Sequence, residues 1–268
     1  MNRFFVLVRK GERLVNKMEY EAKGIRRYSL LDSLRGLALV SMILYHGVWN
    51  MVYIYGFNWE WYRGAGAFFW QQSTCWTFLL LSGFCWSMGR RPWKNGLMIF
   101  GGGVLVSAIT LLFLPQNRVL FGVLTCIGSS ILLMIPLNRL LERVPPGIGL
   151  AGSFLLFAVT RSVNQGYLGW GDWKIVSLPR EWFHGWTAAY LGFTPSDFYS
   201  TDYFSLFPWF FLFLTGYFGY GLCQSWGGLK SDVLQIRISF LEKMGKHSLL
   251  IYLLHQPVLF FLGNIFWG

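Results

Sequence analysis

Residues 27–50 read RYSLLDSLRGLALVSMILYHGVWN, and this stretch decides the class of fold. From Gly36 to Tyr45 it contains no charged residue, and a helix needs about 20 mostly apolar residues to cross the hydrocarbon core of a bilayer. Similar runs recur along the chain. They begin near Leu30, Phe68, Leu97, Val119, Ile148, Phe204 and Ser248. The sequence therefore predicts an all-α integral membrane protein, a bundle of about seven transmembrane helices.

The composition agrees with a membrane environment. Of the 268 residues, 54% are hydrophobic and 13% are charged, whereas soluble domains carry about 25% charged residues. The 14 Trp and 13 Tyr residues crowd near the predicted span ends, as in the aromatic belts of membrane proteins. The net charge of +11 is concentrated in the first 30 residues and in short loops, which indicates anionic lipid and not nucleic acid as the partner.

The distribution of Lys and Arg predicts the sidedness of the chain, because cytoplasmic loops are enriched in these residues. Basic clusters precede span one, follow spans two and four, and lie between spans six and seven. We therefore expect a multi-pass protein of the plasma membrane with a cytoplasmic N-terminus and an extracytoplasmic C-terminus. The expected organisation is a basic cytoplasmic segment at residues 1–29 and a transmembrane domain at residues 30–268. The N-terminal FFVLV is too short for a signal-peptide core, so we expect it to be retained at the cytoplasmic interface.

Two connections stand out. The external loop at residues 164–203 is rich in Trp, Tyr, Gly and Ser, and its length fits a lid, a substrate vestibule or an ordinary extracytoplasmic loop. Residues 231–244, SDVLQIRISFLEKM, have apolar residues at helical spacing and predict an amphipathic helix on the inner leaflet. The four Cys and four His are scattered without ligand spacing, so we expect buried thiols and no metal site.

Arg35 and His46 are ionisable residues within span one, where charge is costly and is a functional hypothesis by default. Their separation of eleven residues is close to three helical turns, so they share one face about 16 Å apart along the axis. His46 lies in the predicted outer half, and an imidazole with a pKa near 6.5 suits general-base catalysis. The structural alternatives are that Arg35 reaches lipid phosphate beside Asp32 and that His46 is a hydrogen-bonded core residue.

Several other polar residues lie within or beside the spans. Counting inward from the outer ends places Gln71, Gln72, Ser73 and Thr74 at the start of span two, and Thr125 about two turns into span four, near the depth of His46. These residues could instead join helices through hydrogen bonds. His255 lies near the middle of the last span, where it could line a cavity, shuttle protons or bond a neighbouring helix. His184, in the external loop, could contact only an external substrate.

Five segments, in this order, resemble the bacterial branch of the heparan-alpha-glucosaminide N-acetyltransferase family. They are LDSLRGLALVSMILYH (31–46), TFLLLSGF (77–84), FGVLTCIGSSILL (121–133), DYFSLFPWFFLFLTGYFGYG (202–221) and GKHSLLIYLLHQPVL (245–259). The resemblance extends from Leu31 to Leu262. Span one is also similar to the acyltransferase-3 O-acetyltransferases, whose Arg-x10-His motif matches Arg35 and His46.

The resemblance implies that an acetyl group passes from cytosolic acetyl-CoA, as co-substrate and without a metal, to an amine or hydroxyl of an extracytoplasmic saccharide or lipid-linked acceptor. The residues expected to bind the CoA phosphates are Arg35, Arg26, Arg27 and Lys246. In catalysis, His46 would deprotonate the acceptor or carry the acyl group, and Thr125 and Gln72 would bind the oxyanion. The residues expected to contact the acceptor are His255, Asp202, Tyr203 and His184. The expected partners are the bilayer, acyl-CoA and the acceptor, and a homodimer is left open.

Two departures from the family pattern bear on activity. The bacterial branch usually reads FGxLHxxG in span four, and this chain has Thr125 at the position of that histidine. In the lysosomal relatives the catalytic histidine lies beyond span one, and the region near Phe57 and Asn58 contains none. Catalysis therefore rests on His46 or is absent. A transporter or flippase and a non-catalytic membrane component are the alternatives.

Overall fold

The computed structural model describes residues 28–267, which form a helical bundle. The basic segment 1–29 falls largely outside the described residues, and so do the expected phosphate ligands Arg26 and Arg27. The helices are, in chain order, α1 (Ser29–Tyr53), α2 (Ala65–Trp86), α3 (Pro92–Phe113), α4 (Val123–Leu141), α5 (Pro146–Thr160), α6 (Gly185–Leu191), α7 (Leu206–Ser225), α8 (Ser239–Lys246) and α9 (Ser248–Trp267). Strands β1 (Tyr167–Trp170) and β2 (Trp173–Ser177) form an antiparallel hairpin.

Six of the described helices are long and apolar enough to cross a membrane, which confirms an all-α membrane protein. They are α1, α3, α4, α5 with the turn that follows it, α7 and α9. The predicted second span, α2, has 22 residues, and this length corresponds to about 33 Å, enough for the hydrocarbon core. Its polar run Gln71–Thr74 makes it less apolar than the others. Its role as a seventh span, and the sidedness of the termini, stay predictions.

Helix α7 forms the centre of the bundle and packs against α2, α4 and α5. Leu212 and Phe213 at its middle are completely buried. Helix α2 approaches it closely, because a Cβ atom at Gly83 would lie 1.9 Å from the carbonyl oxygen of Phe213, and one at Gly216 would lie 2.1 Å from that of Leu80. Small residues allow helices to pack in this way in membranes. The contact fixes α2 between α7 and α1.

The predicted amphipathic helix at residues 231–244 is shorter in the structure. A 3-10 turn covers Asp232–Gln235, and the helix proper, α8, covers Ser239–Lys246. The backbone between them is extended at Ile238, whose N–H donates to the Ser33 hydroxyl of α1 at 3.4 Å. This bond to α1 replaces the helical continuation that the periodicity predicts. Helix α8 packs along the first turns of α1.

Helix α4 begins at Val123 and not near Val119, because residues 118–121 pair with the connection that precedes α7. The N–H of Thr201 donates to the Arg118 carbonyl at 3.1 Å, and the N–H of Phe204 donates to the Phe121 carbonyl at 2.8 Å. The predicted external loop thus contains the β-hairpin and α6, and its last residues lie against the first turn of α4. This arrangement brings Asp202 to the start of that helix.

Candidate functional site

A cavity of about 560 Å³ lies between α1, α2, α3, α4 and α9. At one end it is lined by Arg35, by Lys246 at the end of α8, and by Gly89 and His247 of the turns between α2 and α3 and between α8 and α9. At the other end its walls include Val123 and Tyr252. Its volume lies within the range of about 300–1,000 Å³ that is usual for small-molecule sites.

Two cations lie at the first end of the cavity, and each is held by a carboxylate. Arg35 pairs with the buried Asp32 at 3.0 Å and also donates to the Cys85 sulfur at 3.2 Å. Lys246 pairs with the buried Glu242 at 2.5 Å. These contacts use only some of the five N–H donors of a guanidinium and the three of an ammonium. Each cation is therefore held in place by a carboxylate and keeps N–H donors that can bind an anion.

Glu242 orients this cationic end. It lies on α8 and pairs with both Lys246 and Arg237. Burial raises the pKa of Glu242, but the hydrogen bonds and charges of Lys246 and Arg237 outweigh burial and lower the pKa below its usual value. The carboxylate is thus ionised at neutral pH and holds Lys246 in place.

A carboxyl group lies beside the opposite end of the cavity. Asp202 accepts a hydrogen bond from the backbone N–H of Val123 at 3.3 Å, and the Tyr252 hydroxyl also bonds to this carboxylate. Burial raises the pKa of Asp202 to about 6, and these two hydrogen bonds limit the rise. Asp202 therefore caps α4 from a distant segment of the chain and connects α4 to α9. The sequence had suggested a different role for Asp202, contact with the acceptor from an external loop.

Two histidines from different helices lie next to each other. The rings of His46 on α1 and His255 on α9 are 4.9 Å apart between centroids. His255 is only 8% exposed, and its Nδ1 bonds to the carbonyl oxygen of Tyr252. A carbonyl can only accept, so Nδ1 carries the proton and Nε2 presents a lone pair. In the described part of the chain this buried Nε2 has no hydrogen-bond partner.

The remaining residues proposed from the sequence lie apart from this pair. Gln72 accepts a hydrogen bond from Arg161 at 3.0 Å. Thr125, in the first turn of α4, donates to the Gly122 carbonyl at 2.6 Å and faces α3. Tyr203 donates to the Ala189 carbonyl, and His184 is exposed at the start of α6. Their proposed roles stay predictions.

Among the polar residues at the start of span two, the structure favours Gln71 over Gln72 as a functional candidate. One stripe of α2 advances in steps of four and three residues, which keeps its members on one helical face. Its members are Gln71, Cys75, Phe78, Ser82 and Cys85. The last three line the cavity, so Gln71 continues that face, whereas Gln72 is rotated by about 100°. Choosing the α2 face by its continuity with the cavity would have identified Gln71.

The comparisons with known proteins agree with the resemblance in the sequence. The family model described as heparan-alpha-glucosaminide N-acetyltransferase, catalytic, matches residues 27–257. Searches of the curated proteins and of the solved structures found no match. Across residues 28–267 no three His, Cys, Asp or Glu side chains gather as a metal site. With its six apolar helices, this multi-pass membrane protein belongs to the family of heparan-alpha-glucosaminide N-acetyltransferase catalytic domains.

Proposed function

We propose that this protein is a transmembrane acyltransferase that moves an acetyl group from cytosolic acetyl-CoA to an amine or hydroxyl of a saccharide or lipid-linked acceptor on the other side of the membrane. The observation that carries the proposal is the cavity between the two cations and Tyr252. Tyr252 holds His255 through its carbonyl oxygen, and His255 lies beside His46. Acetyl-CoA in this cavity would have its phosphates near the two cations and its thioester towards the histidines.

The cavity suits both parts of the donor, the phosphates and the pantetheine arm of acetyl-CoA. Arg35 and Lys246 would bind phosphate oxygens, Arg through a planar pair of N–H groups and Lys as a point charge. Beyond them the walls are largely apolar and include Phe78, Ile99 and Ile127, which suits the pantetheine arm. Arg35 and His46 are about 16 Å apart along α1, so an extended arm is needed to bring the thioester towards the histidines.

The histidines support either of two balanced routes. In direct transfer, His46 takes the proton of the acceptor N–H or O–H while the acceptor attacks the thioester carbonyl, and the CoA sulfur leaves and is protonated by the imidazolium. In the two-step route, one nitrogen of the His46 imidazole attacks the carbonyl, and the N–H proton of the ring leaves with the CoA sulfur as the thiol. The acceptor then attacks the acyl-imidazole, and the proton it loses returns to the imidazole of His46. In both routes, the Nε2 lone pair of His255 is available as a second proton acceptor.

The test combines binding and turnover in purified protein. Acetyl-CoA should raise the unfolding midpoint of the wild type, since a ligand that binds only the folded state stabilises it. The double variant Asp32→Asn/Arg35→Gln removes the cation without leaving a buried, unpaired carboxylate, and should lose this stabilisation. His46→Asn should keep the stabilisation but reduce CoA release by at least about 100-fold, the usual contribution of a general base.

Arg139→Gln is the matched control, because it removes an exposed cation from the last turn of α4, away from the cavity lining. It should respond to acetyl-CoA as the wild type does. A well-folded wild type with no acetyl-CoA response would refute the donor site. Full CoA release by His46→Asn would instead refute the catalytic role of His46.

A further inference from the structure

Arg161 is a partly buried cation at the end of α5, outside the cavity. Its Nη2 donates to the side-chain carbonyl of Gln72 on α2 at 3.0 Å. Its guanidinium carbon lies 4.7 Å from the centre of a Trp209 ring on α7. The side chain is thus held in one place by three helices, with its planar donor group oriented by an aromatic face.

The guanidinium has donors to spare. The ion pairs described for residues 28–267 join Arg35, Arg237 and Lys246 to carboxylates, and none involves Arg161. Gln72 accounts for one of its five N–H groups. None of the buried nitrogen atoms that lack a partner in the described chain belongs to Arg161. Its other N–H groups have no partner in the described part of the chain, and a guanidinium presents such groups in planar pairs that can bind an oxyanion through two hydrogen bonds.

Arg161 lies beside the α2 face that continues the cavity. Gln72, which accepts its hydrogen bond, is three residues and about one helical turn from Cys75 on the stripe Gln71, Cys75, Phe78, Ser82 and Cys85. Arg161 directly follows α5 and precedes the β-hairpin. A molecule held by Arg161 would thus lie at the hairpin end of the bundle, next to the helix whose Phe78, Ser82 and Cys85 line the cavity.

We propose that Arg161, oriented by Gln72 and Trp209, is a binding subsite for an anionic oxygen group, a phosphate or carboxylate, carried by the acceptor. The identification of the ligand as the acceptor rests on the proposed acyltransferase function. The anion site itself does not, because it is carried by an immobilised guanidinium without a carboxylate partner. Chemically, the inference narrows the acceptor to a negatively charged saccharide or a phosphate-bearing lipid.

The test measures binding without requiring turnover. Unfolding midpoints of the purified protein are recorded with glucosamine, glucosamine 6-phosphate and inorganic phosphate. The phosphorylated sugar should stabilise the wild type by about 3 °C or more beyond glucosamine at saturation. In Arg161→Gln the Kd for the phosphorylated sugar should rise at least about tenfold, and Arg161→Lys should be intermediate. Arg180→Gln removes an exposed cation from the connection that follows Arg161. This control variant should bind the phosphorylated sugar as the wild type does.

Gln72→Glu gives a second test that does not depend on removing the cation. It would place a carboxylate beside the guanidinium, so the variant should fold at least as stably as the wild type and lose its response to the sugar phosphate.

Nanodiscs that contain phosphatidylglycerol or phosphatidylcholine distinguish a lipid phosphate from a phosphate in solution. Stabilisation by phosphatidylglycerol that requires Arg161 would support a lipid-borne anion.

Two results would overturn the anion subsite and leave Arg161 as a tie between three helices. One is a wild type that responds to no anion in solution or in the bilayer. The other is an anion response that Arg161→Gln and Gln72→Glu retain in full. Acetyl-CoA stabilisation, measured in the same samples, reports separately on the proposed function and should be unchanged in Arg161→Gln.

Discussion

Alanine at Gly36 should displace α8 and with it the cationic end of the cavity. A Cβ atom at Gly36 would lie 2.0 Å from the Leu241 carbonyl oxygen of α8, and one at Gly245 would lie 1.9 Å from the Asp32 carbonyl oxygen of α1. Ordinary contacts begin at 3.4 Å, so the helices must separate by about 1.4 Å at each point, which forfeits much of the dispersion contact between them. Because Lys246 ends α8, its ammonium moves with the helix.

The expected energies have opposite signs. Overpacking costs about 1–3 kcal/mol, whereas replacing a helical glycine by alanine gains about 1 kcal/mol. Gly36→Ala should therefore lower stability by up to about 2 kcal/mol, a fall of several degrees in the unfolding midpoint at about 2–4 °C per kcal/mol. Stabilisation by acetyl-CoA should weaken as well.

Gly101→Ala is the matched control for this prediction, because Gly101 is also a helical glycine but has nothing within 4 Å of its Cβ position. It should raise the midpoint by about 2–4 °C and leave acetyl-CoA binding unchanged. Both quantities can be read from thermal unfolding in detergent with and without acetyl-CoA. Equal midpoints for Gly36→Ala and Gly101→Ala would refute the close contact between α1 and α8.

Two further predictions concern single side chains at the cavity. Burial raises the folded-state pKa of Asp202 to about 6 from about 3.9 in the unfolded chain, so the wild type should lose stability as pH rises between these values. The midpoint of Asp202→Asn relative to wild type should therefore rise from pH 4 to 6, and a pH-independent difference would contradict this ionisation. Cys85 lines the cavity, whereas Cys223 does not. Acetyl-CoA should therefore slow the labelling of Cys85 by maleimide, measured by mass spectrometry, and leave the labelling of Cys223 unchanged. Equal protection of both cysteines would argue against donor binding in the cavity.

The helices of this protein were predictable because their causes are local. Long, mostly apolar runs predict α1, α3 and α9 directly, and the structure has all three. The start of α4 was not predictable in this way. Residues 119–121 are apolar enough to extend the helix, but the segment 118–121 pairs with residues 201–204, about 80 positions away. A tertiary contact of this kind overrides the local preference and leaves no periodic pattern in the sequence.

The candidate site is likewise predictable only where its geometry is local to one helix. Arg35 and His46 share a face of one helix, so counting residues was sufficient to relate them. Gln71 was within reach of the same counting, since it shares a stripe with three cavity-lining residues of α2. The approach of His255 to His46 depends on how α9 lies against α1, and the role of Asp202 as a cap of α4 depends on the fold of a long connection. Pattern alone gives neither.

The neighbours of Thr125 change what this threonine, found where the resemblance predicts a histidine, means for activity. Thr125 bonds within its own helix and faces Gly103 of α3, whose Cβ position would lie 2.6 Å from a Thr125 methyl carbon. Thr125 thus lies at the interface between α3 and α4, whereas the imidazole beside His46 comes from α9. Under the proposed mechanism, His46 carries the chemistry, and His255 supplies a second proton acceptor beside it.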